Sequence, residues 1–151
     1  MPSDRIVRSP RARGTGGFTL IEILVVVIII GLLAGLVGPR ILGRVSEAKT
    51  AAAHTQIELL GLALDNYRLD NGDYPTTEQG LAALQTKPVQ EPVPANWRGP
   101  YLKRAIPADP WGKAYGYGSP GEHTPNGYDL WTYGRDGQQG GEGDDADVTS
   151  W

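Results

Sequence analysis

The chain reads as an α+β protein in which a long N-terminal helix, apolar in its first half, packs on a small C-terminal domain with a short antiparallel sheet. Three observations predict this. Residues 18–37 are an apolar run holding a single carboxylate, Glu22. Beyond that run, apolar side chains recur at three- and four-residue steps as far as Tyr67. The seven tyrosines and four tryptophans all lie at or beyond Tyr67, which argues for a packed C-terminal domain and against a disordered stalk.

Residues 1–17 form a basic leader in which Arg5, Arg8, Arg11 and Arg13 stand against Asp4. Excess arginine marks the cytoplasmic flank of a membrane span, so the N-terminus is expected inside and the C-terminal domain outside. Residues 18–39 are the expected membrane and polymerisation segment. Its 20 residues from Phe18 to Val37 make about 30 Å of helix, the thickness of a hydrocarbon core. A secretory signal peptide has an apolar region of only about 7 to 15 residues, closed by a small-residue cleavage site. Here the run ends in Leu36-Val37-Gly38-Pro39, without such a site. The chain has no cysteine, which excludes both lipoprotein processing and a disulfide staple.

A carboxylate inside a span costs about 2.5 to 3.5 kcal/mol and persists where it faces protein and has a partner. Glu22 lies one helical turn after Phe18. Cutting between Gly17 and Phe18 frees an α-amino group on Phe18, the natural cation for Glu22. Strain at the helix end favours a neighbouring copy as the donor. The alternative is a side chain at headgroup depth that snorkels to water.

Gly17-Phe18-Thr19-Leu20-Ile21-Glu22, preceded by a basic leader and followed by an apolar helix, resembles the processing site of the type IV pilin and pseudopilin superfamily. The resemblance implies a type IV pilin-like fold, cleavage after Gly17 by a prepilin peptidase, and N-methylation of Phe18. Methylation leaves the amine basic, so a pairing with Glu22 survives it. In that superfamily the region that Pro39 matches includes a proline and unwinds during assembly. Residue chemistry points the same way, since Pro39 cannot donate to the carbonyl of Gly35 and a bend or local opening is expected. Gly31 and Gly35 form a G-x-x-x-G spacing, which fits either close helix approach in lipid or the general frequency of glycine in membrane helices.

Residues 40–71 continue the helix as an amphipathic one, with an expected apolar stripe of Ile41, Val45, Ala48, Ala52, Leu59, Ala63 and Tyr67, widened by Leu60 and Leu64. Asn71-Gly72 is a C-terminal cap signal. Residues 72–151 are the expected C-terminal α/β domain. Thr76 and Gln79 form a capping box for a short helix through Gln85. Residues 87–110 hold six of the twelve prolines and read as loop. Residues 113–118 and 128–133 read as strands, with turn chemistry at Ser119-Pro120-Gly121 and Pro125-Asn126-Gly127 between them.

Asp73-Tyr74-Pro75-Thr76-Thr77-Glu78-Gln79-Gly80-Leu81, Trp97-Arg98-Gly99-Pro100-Tyr101-Leu102 and Asp109-Pro110-Trp111-Gly112 resemble the major pseudopilins of the type II secretion system. So does Tyr128-Asp129-Leu130 running into Asp136-Gly137 and Gly140-Gly141-Glu142-Gly143. This resemblance implies a homopolymer extended from the bacterial inner membrane as a periplasmic pseudopilus by an assembly platform and its ATPase. It implies minor pseudopilins as further subunits, and a secretin channel and folded exoproteins as the export partners. Two rivals are a type IV pilin for adhesion or DNA uptake, and a membrane-tethered calcium-dependent binding module that never polymerises. The absent C-terminal cysteine pair and the downstream motifs weigh against the pilin.

The loop 134–147 carries Asp136, Glu142, Asp144, Asp145 and Asp147, opposed only by Arg135. Five carboxylates among glycines repel one another unless water screens them or a cation gathers them. Calcium is hard, takes about six to eight oxygens, and accepts backbone carbonyls and irregular geometry. Zinc is disfavoured by the lack of histidine and cysteine in the loop. On composition alone a solvated acidic loop is the commoner outcome and calcium the alternative. The resemblance implies calcium in this loop, with Asp136 and Asp147 the strongest ligand matches, Asp145 next, Asp144 and Glu142 able to exchange with it, and the backbone carbonyl of Tyr133 a further ligand.

Removing the leader takes away four arginines and Asp4, moving the net charge from −3 to −6. An acidic mature chain is a poor nucleic-acid binder. His54 and His123 have no cysteine or nucleophile-elbow serine near them, so no enzymatic activity is expected.

Overall fold

The computed structural model describes residues 17–151, apart from the side chains of 37–42, and divides into two units between Arg40 and Ile41. Helix α1, Leu20–Asn71, opens on Thr19. The Thr19 hydroxyl accepts the backbone N–H of Glu22 at 3.2 Å, while the Glu22 carboxylate accepts the N–H of Thr19 at 3.4 Å. This is a reciprocal capping box. From residue 20 to 36 every side chain of α1 is exposed, including Leu24, Ile28 and Leu32. The helical assignment runs through Pro39. The bend or opening expected there concerns residues whose side chains lie outside the described set, as does the Ile41 position of the expected stripe. The leader arginines lie outside it as well.

In the second unit the core is built on Ala53, Ile57, Leu60, Leu64 and Tyr67 of α1, spaced by four, three, four and three residues, with Ala63 beside them. The expected stripe was therefore drawn partly on the wrong face. Val45, Ala48, Ala52 and Leu59 are exposed, and Ala53 and Ile57 replace them. A shift of one residue rotates a helical stripe by about 100°, and runs of consecutive alanines and leucines let several registers look equally apolar. The helix closes at Asn71, where Gly72 takes a φ of 94° and donates to the Arg68 carbonyl at 2.7 Å.

Thr76 and Gln79 make the capping box, Gln79 N to Thr76 Oγ1 at 3.3 Å and Thr76 N to Gln79 Oε1 at 3.1 Å. The box opens a turn and then the expected short helix, which is a 3₁₀ helix, Leu81–Leu84, with Gln85 as its C-cap. Gln79 is itself buried, and its amide donates to the carbonyls of Gln90 and Pro92, both at 3.0 Å, which ties this segment to the proline-rich loop.

The sheet is three-stranded and antiparallel, in the order β1 (Gly116–Gly118), β2 (Asp129–Thr132), β3 (Val148–Thr149). The first two strands are shorter than expected, and β3 was not expected at all. Leu130 and Val148 are fully buried against the α1 and 3₁₀ residues of the core.

Candidate functional site

Two regions carry the candidate residues. At the start of α1, Phe18 is joined to Gly17 through its amide nitrogen, and Glu22 is turned back onto Thr19. Local backbone chemistry thus gives Glu22 a partner that the sequence reading did not consider. The signal was present: threonine followed three residues later by glutamate is a capping-box pattern.

In the acidic loop the chain is shaped by glycine. Gly134 has a φ of 60°, and a Cβ there would lie 2.7 Å from the Asp144 carbonyl and 2.9 Å from that of Ala146. Only glycine lets the two ends of the loop close to this distance. Asp136 Oδ1 accepts the Gln138 N–H at 3.0 Å, and Asp147 Oδ2 accepts that of Gly140 at 2.9 Å. Both oxygens of Asp145 are taken by Arg135, which donates through Nε at 3.0 Å and Nη2 at 2.9 Å. Arg135 also lies 3.6 Å from Asp144. Lys113, which sequence reasoning missed, donates to the carbonyl of Arg135 at 2.7 Å. The structure thus brings Asp144 and Asp145 together on one guanidinium, while Asp136 and Asp147 each accept a backbone N–H of the loop.

Among the described residues no three of His, Cys, Asp or Glu converge as a metal cage of side chains. Two loop oxygens are nevertheless buried without a hydrogen-bond partner, Asp144 Oδ1 and Asp147 Oδ1. A buried carboxylate oxygen without a partner is costly. The Tyr133 carbonyl accepts the Gly137 N–H at 3.1 Å and retains its second lone pair. This donor set, carboxylate and carbonyl oxygen only, fits a hard cation that takes backbone carbonyls.

Two buried aspartates brace the domain around the loop. Asp109 accepts the N–H groups of Trp111 at 3.0 Å and Lys113 at 2.7 Å through Oδ1, and the Thr132 hydroxyl through Oδ2, so one carboxylate ties the 109–113 turn to β2. Asp129 accepts the N–H of His123 at 2.8 Å and of Thr124 at 3.1 Å. Burial alone raises the Asp129 carboxyl, but the hydrogen bonds from His123 and Thr124 outweigh it and hold the acid below the usual carboxylate range. A depressed folded value stabilises above the unfolded value of about 3.9 and is lost as pH falls through the folded one. In chelator, the melting temperature should therefore drop more steeply below about pH 4 for wild type than for Asp129→Asn. Parallel curves would remove Asp129 from the acid response.

The chain matches the family model described as Type II secretion system (T2SS), protein G over residues 40–151, and the Prokaryotic N-terminal methylation motif over residues 12–38. It is 49% identical over 140 residues to the type II secretion system core protein G of Pseudomonas aeruginosa, covering 92% of this chain and 96% of that one. To the core protein G of Vibrio cholerae it is 51% identical over 142 residues, covering 93% and 94%. It resembles the crystal structure of the major pseudopilin from the type 2 secretion system of enterohaemorrhagic Escherichia coli, with a TM-score of 0.62, 39% identity, and 73% of this chain and 92% of that one covered. A methylation motif on an apolar helix, continuous with a domain of this fold and sequence, places the chain in the protein G family of type II secretion systems, the family of the major pseudopilin.

Proposed function

We propose that the chain is the major subunit of a pseudopilus: it is cut between Gly17 and Phe18, N-methylated on Phe18, held in the inner membrane with its C-terminal domain in the periplasm, and polymerised to drive folded proteins across the outer membrane. The observation that carries this reading is the apolar surface of α1, exposed at every described side chain from 20 to 36. Such a surface requires lipid before assembly and other copies after it. Among the described residues no helix is long and apolar enough to cross a membrane. Residues 20–36 alone make about 25 Å, and Phe18, Thr19 and Val37 supply the remainder of a span of about 30 Å. Further along α1, Leu59 and Leu62 are 57% and 61% exposed, a second apolar surface open to a neighbouring copy.

The same reading names the partners: a prepilin peptidase, minor pseudopilins, an inner-membrane platform with its ATPase, and a secretin channel with its exoproteins. The role is structural, with no catalysis by the chain itself. Calcium is the proposed stapling ion of the loop, held by Asp136 and Asp147 with the Tyr133 carbonyl. The third carboxylate is Asp145 or Asp144, and the geometry favours Asp144, because Arg135 already occupies both Asp145 oxygens. An adhesive or DNA-uptake pilin is the weaker reading, since the relatives compared are named for secretion.

Processing is tested by intact mass and N-terminal peptide sequencing of chain recovered from membranes. The expected mature terminus is Phe18 carrying one added methyl. A terminus beyond Val37 would mean ordinary signal-peptide cleavage and no polymerisation helix. Cysteine-pair crosslinking along α1 after overexpression separates a filament from a tethered monomer. Ladders of several copies are expected, and monomer alone would sink the assembly.

A further inference from the structure

The sheet has two faces, and the core uses one. Leu130, Thr132 and Val148 are buried on that face. Register places Gly116, Trp131 and Thr149 side by side on the other, with Gly118 opposite Asp129. A Cβ on Gly116 would run into the Trp131 indole, and one on Gly118 would meet its ring edge at 3.9 Å. The two glycines of β1 thus let the indole lie over the strand. It borders a cleft of about 380 Å³. Tyr133 stands 6.1 Å from Trp131 and Trp151 stands 6.4 Å from it, each centroid to centroid. Trp151 is stacked parallel on His123 at 4.1 Å, with 4° between the rings, and is 49% exposed.

Carboxylates share the cleft with these rings. Asp129 lies within it, its oxygens filled by His123 and Thr124; Asp147 belongs to the cation loop; Glu122 is exposed beside His123. Among the described residues lining the cleft there is no lysine or arginine. Aromatic faces carry negative charge density at their centres and attract a guanidinium or ammonium, and a neighbouring carboxylate adds to that attraction. A neutral sugar would gain the stacking but leave the carboxylate charge unmatched. We propose that this cleft is a binding site for an arginine or lysine side chain presented by a partner protein, its cation over the cleft-facing side of the Trp131 ring, beside Trp151 and Glu122.

The test uses the full processed chain in detergent micelles with calcium present, titrated with the blocked tripeptide Gly-Arg-Gly and, separately, Gly-Gln-Gly and chitotriose. Indole N–H resonances report the site, with Trp97 and Trp111 as internal controls outside the cleft. Saturable shifts at Trp131 and Trp151 are expected with the arginine peptide, about tenfold weaker binding of the glutamine peptide, and about fivefold weaker binding of the arginine peptide to Glu122→Gln. The substituted residue is exposed, so the spectrum of the unliganded variant should superimpose on wild type. Equal response to both peptides, response to chitotriose alone, or unsaturable drift of all four indoles would each overturn the assignment.

Discussion

Glu22→Ala should leave membrane levels unchanged or raised while abolishing filament assembly and secretion. Removing the carboxylate lowers the cost of insertion by about 2.5 to 3.5 kcal/mol. It also strands the Phe18 amine of a neighbouring copy, and losing one member of a buried ion pair costs about 3 to 5 kcal/mol, or roughly two to four orders of magnitude in association. The capping box with Thr19 supplies the control. Glutamine serves as well as glutamate at this position of the box, so Glu22→Gln keeps the helix start and removes only the charge. Both variants should fail in crosslinking if the pairing between copies matters. Assembly by Glu22→Gln alongside failure of Glu22→Ala would assign Glu22 to the cap, and wild-type assembly by both would leave it a snorkelling side chain.

Calcium removal should lower the melting temperature of a soluble fragment beginning near Arg44 by about 10 °C and open residues 134–151 to protease. A cation that binds only the folded loop stabilises by about 2.7 kcal/mol at a hundredfold excess over its dissociation constant, and 1 kcal/mol is worth about 4 °C in a domain of this size. With no disulfide to compensate, that is a sizeable share of a typical stability of about 5 to 15 kcal/mol. Asp136→Ala and Asp147→Ala should reproduce the chelator effect in excess calcium, and Glu142→Ala should do less. Asp144→Ala should exceed Asp145→Ala, because Asp144 and Asp147 hold the loop's unpartnered buried oxygens while Asp145 is engaged by Arg135. Melting curves that superimpose with and without calcium would leave a solvated acidic loop braced by Arg135 and Lys113, and the ligand assignments would fall with it.

The elements legible from the chain alone were those written in local chemistry. The helix end at Asn71-Gly72, the capping box at Thr76 and Gln79 and the placement of β1 and β2 rest on short-range hydrogen bonding, glycine conformations and alternation. The family was legible for a related reason: the order leader, glycine, aromatic, glutamate and apolar run is a linear signal, matched by the N-terminal methylation motif over residues 12–38.

Three features were decided only by tertiary structure. The buried face of α1 passes through Ala53 and Ile57 rather than Ala52 and Leu59, since an alanine- and leucine-rich helix presents several apolar registers and only the partner surface selects one. Strand β3 has two residues, too few for any periodicity, and exists because β2 offers it an edge. The acidic loop was visible as composition, but not the division of labour within it. Arg135 lies next to Asp136 in sequence, yet its guanidinium pairs with Asp145 and lies near Asp144. Closure at Gly134 brings those distant positions together, and a loop's pairings depend on closure, which no local pattern records.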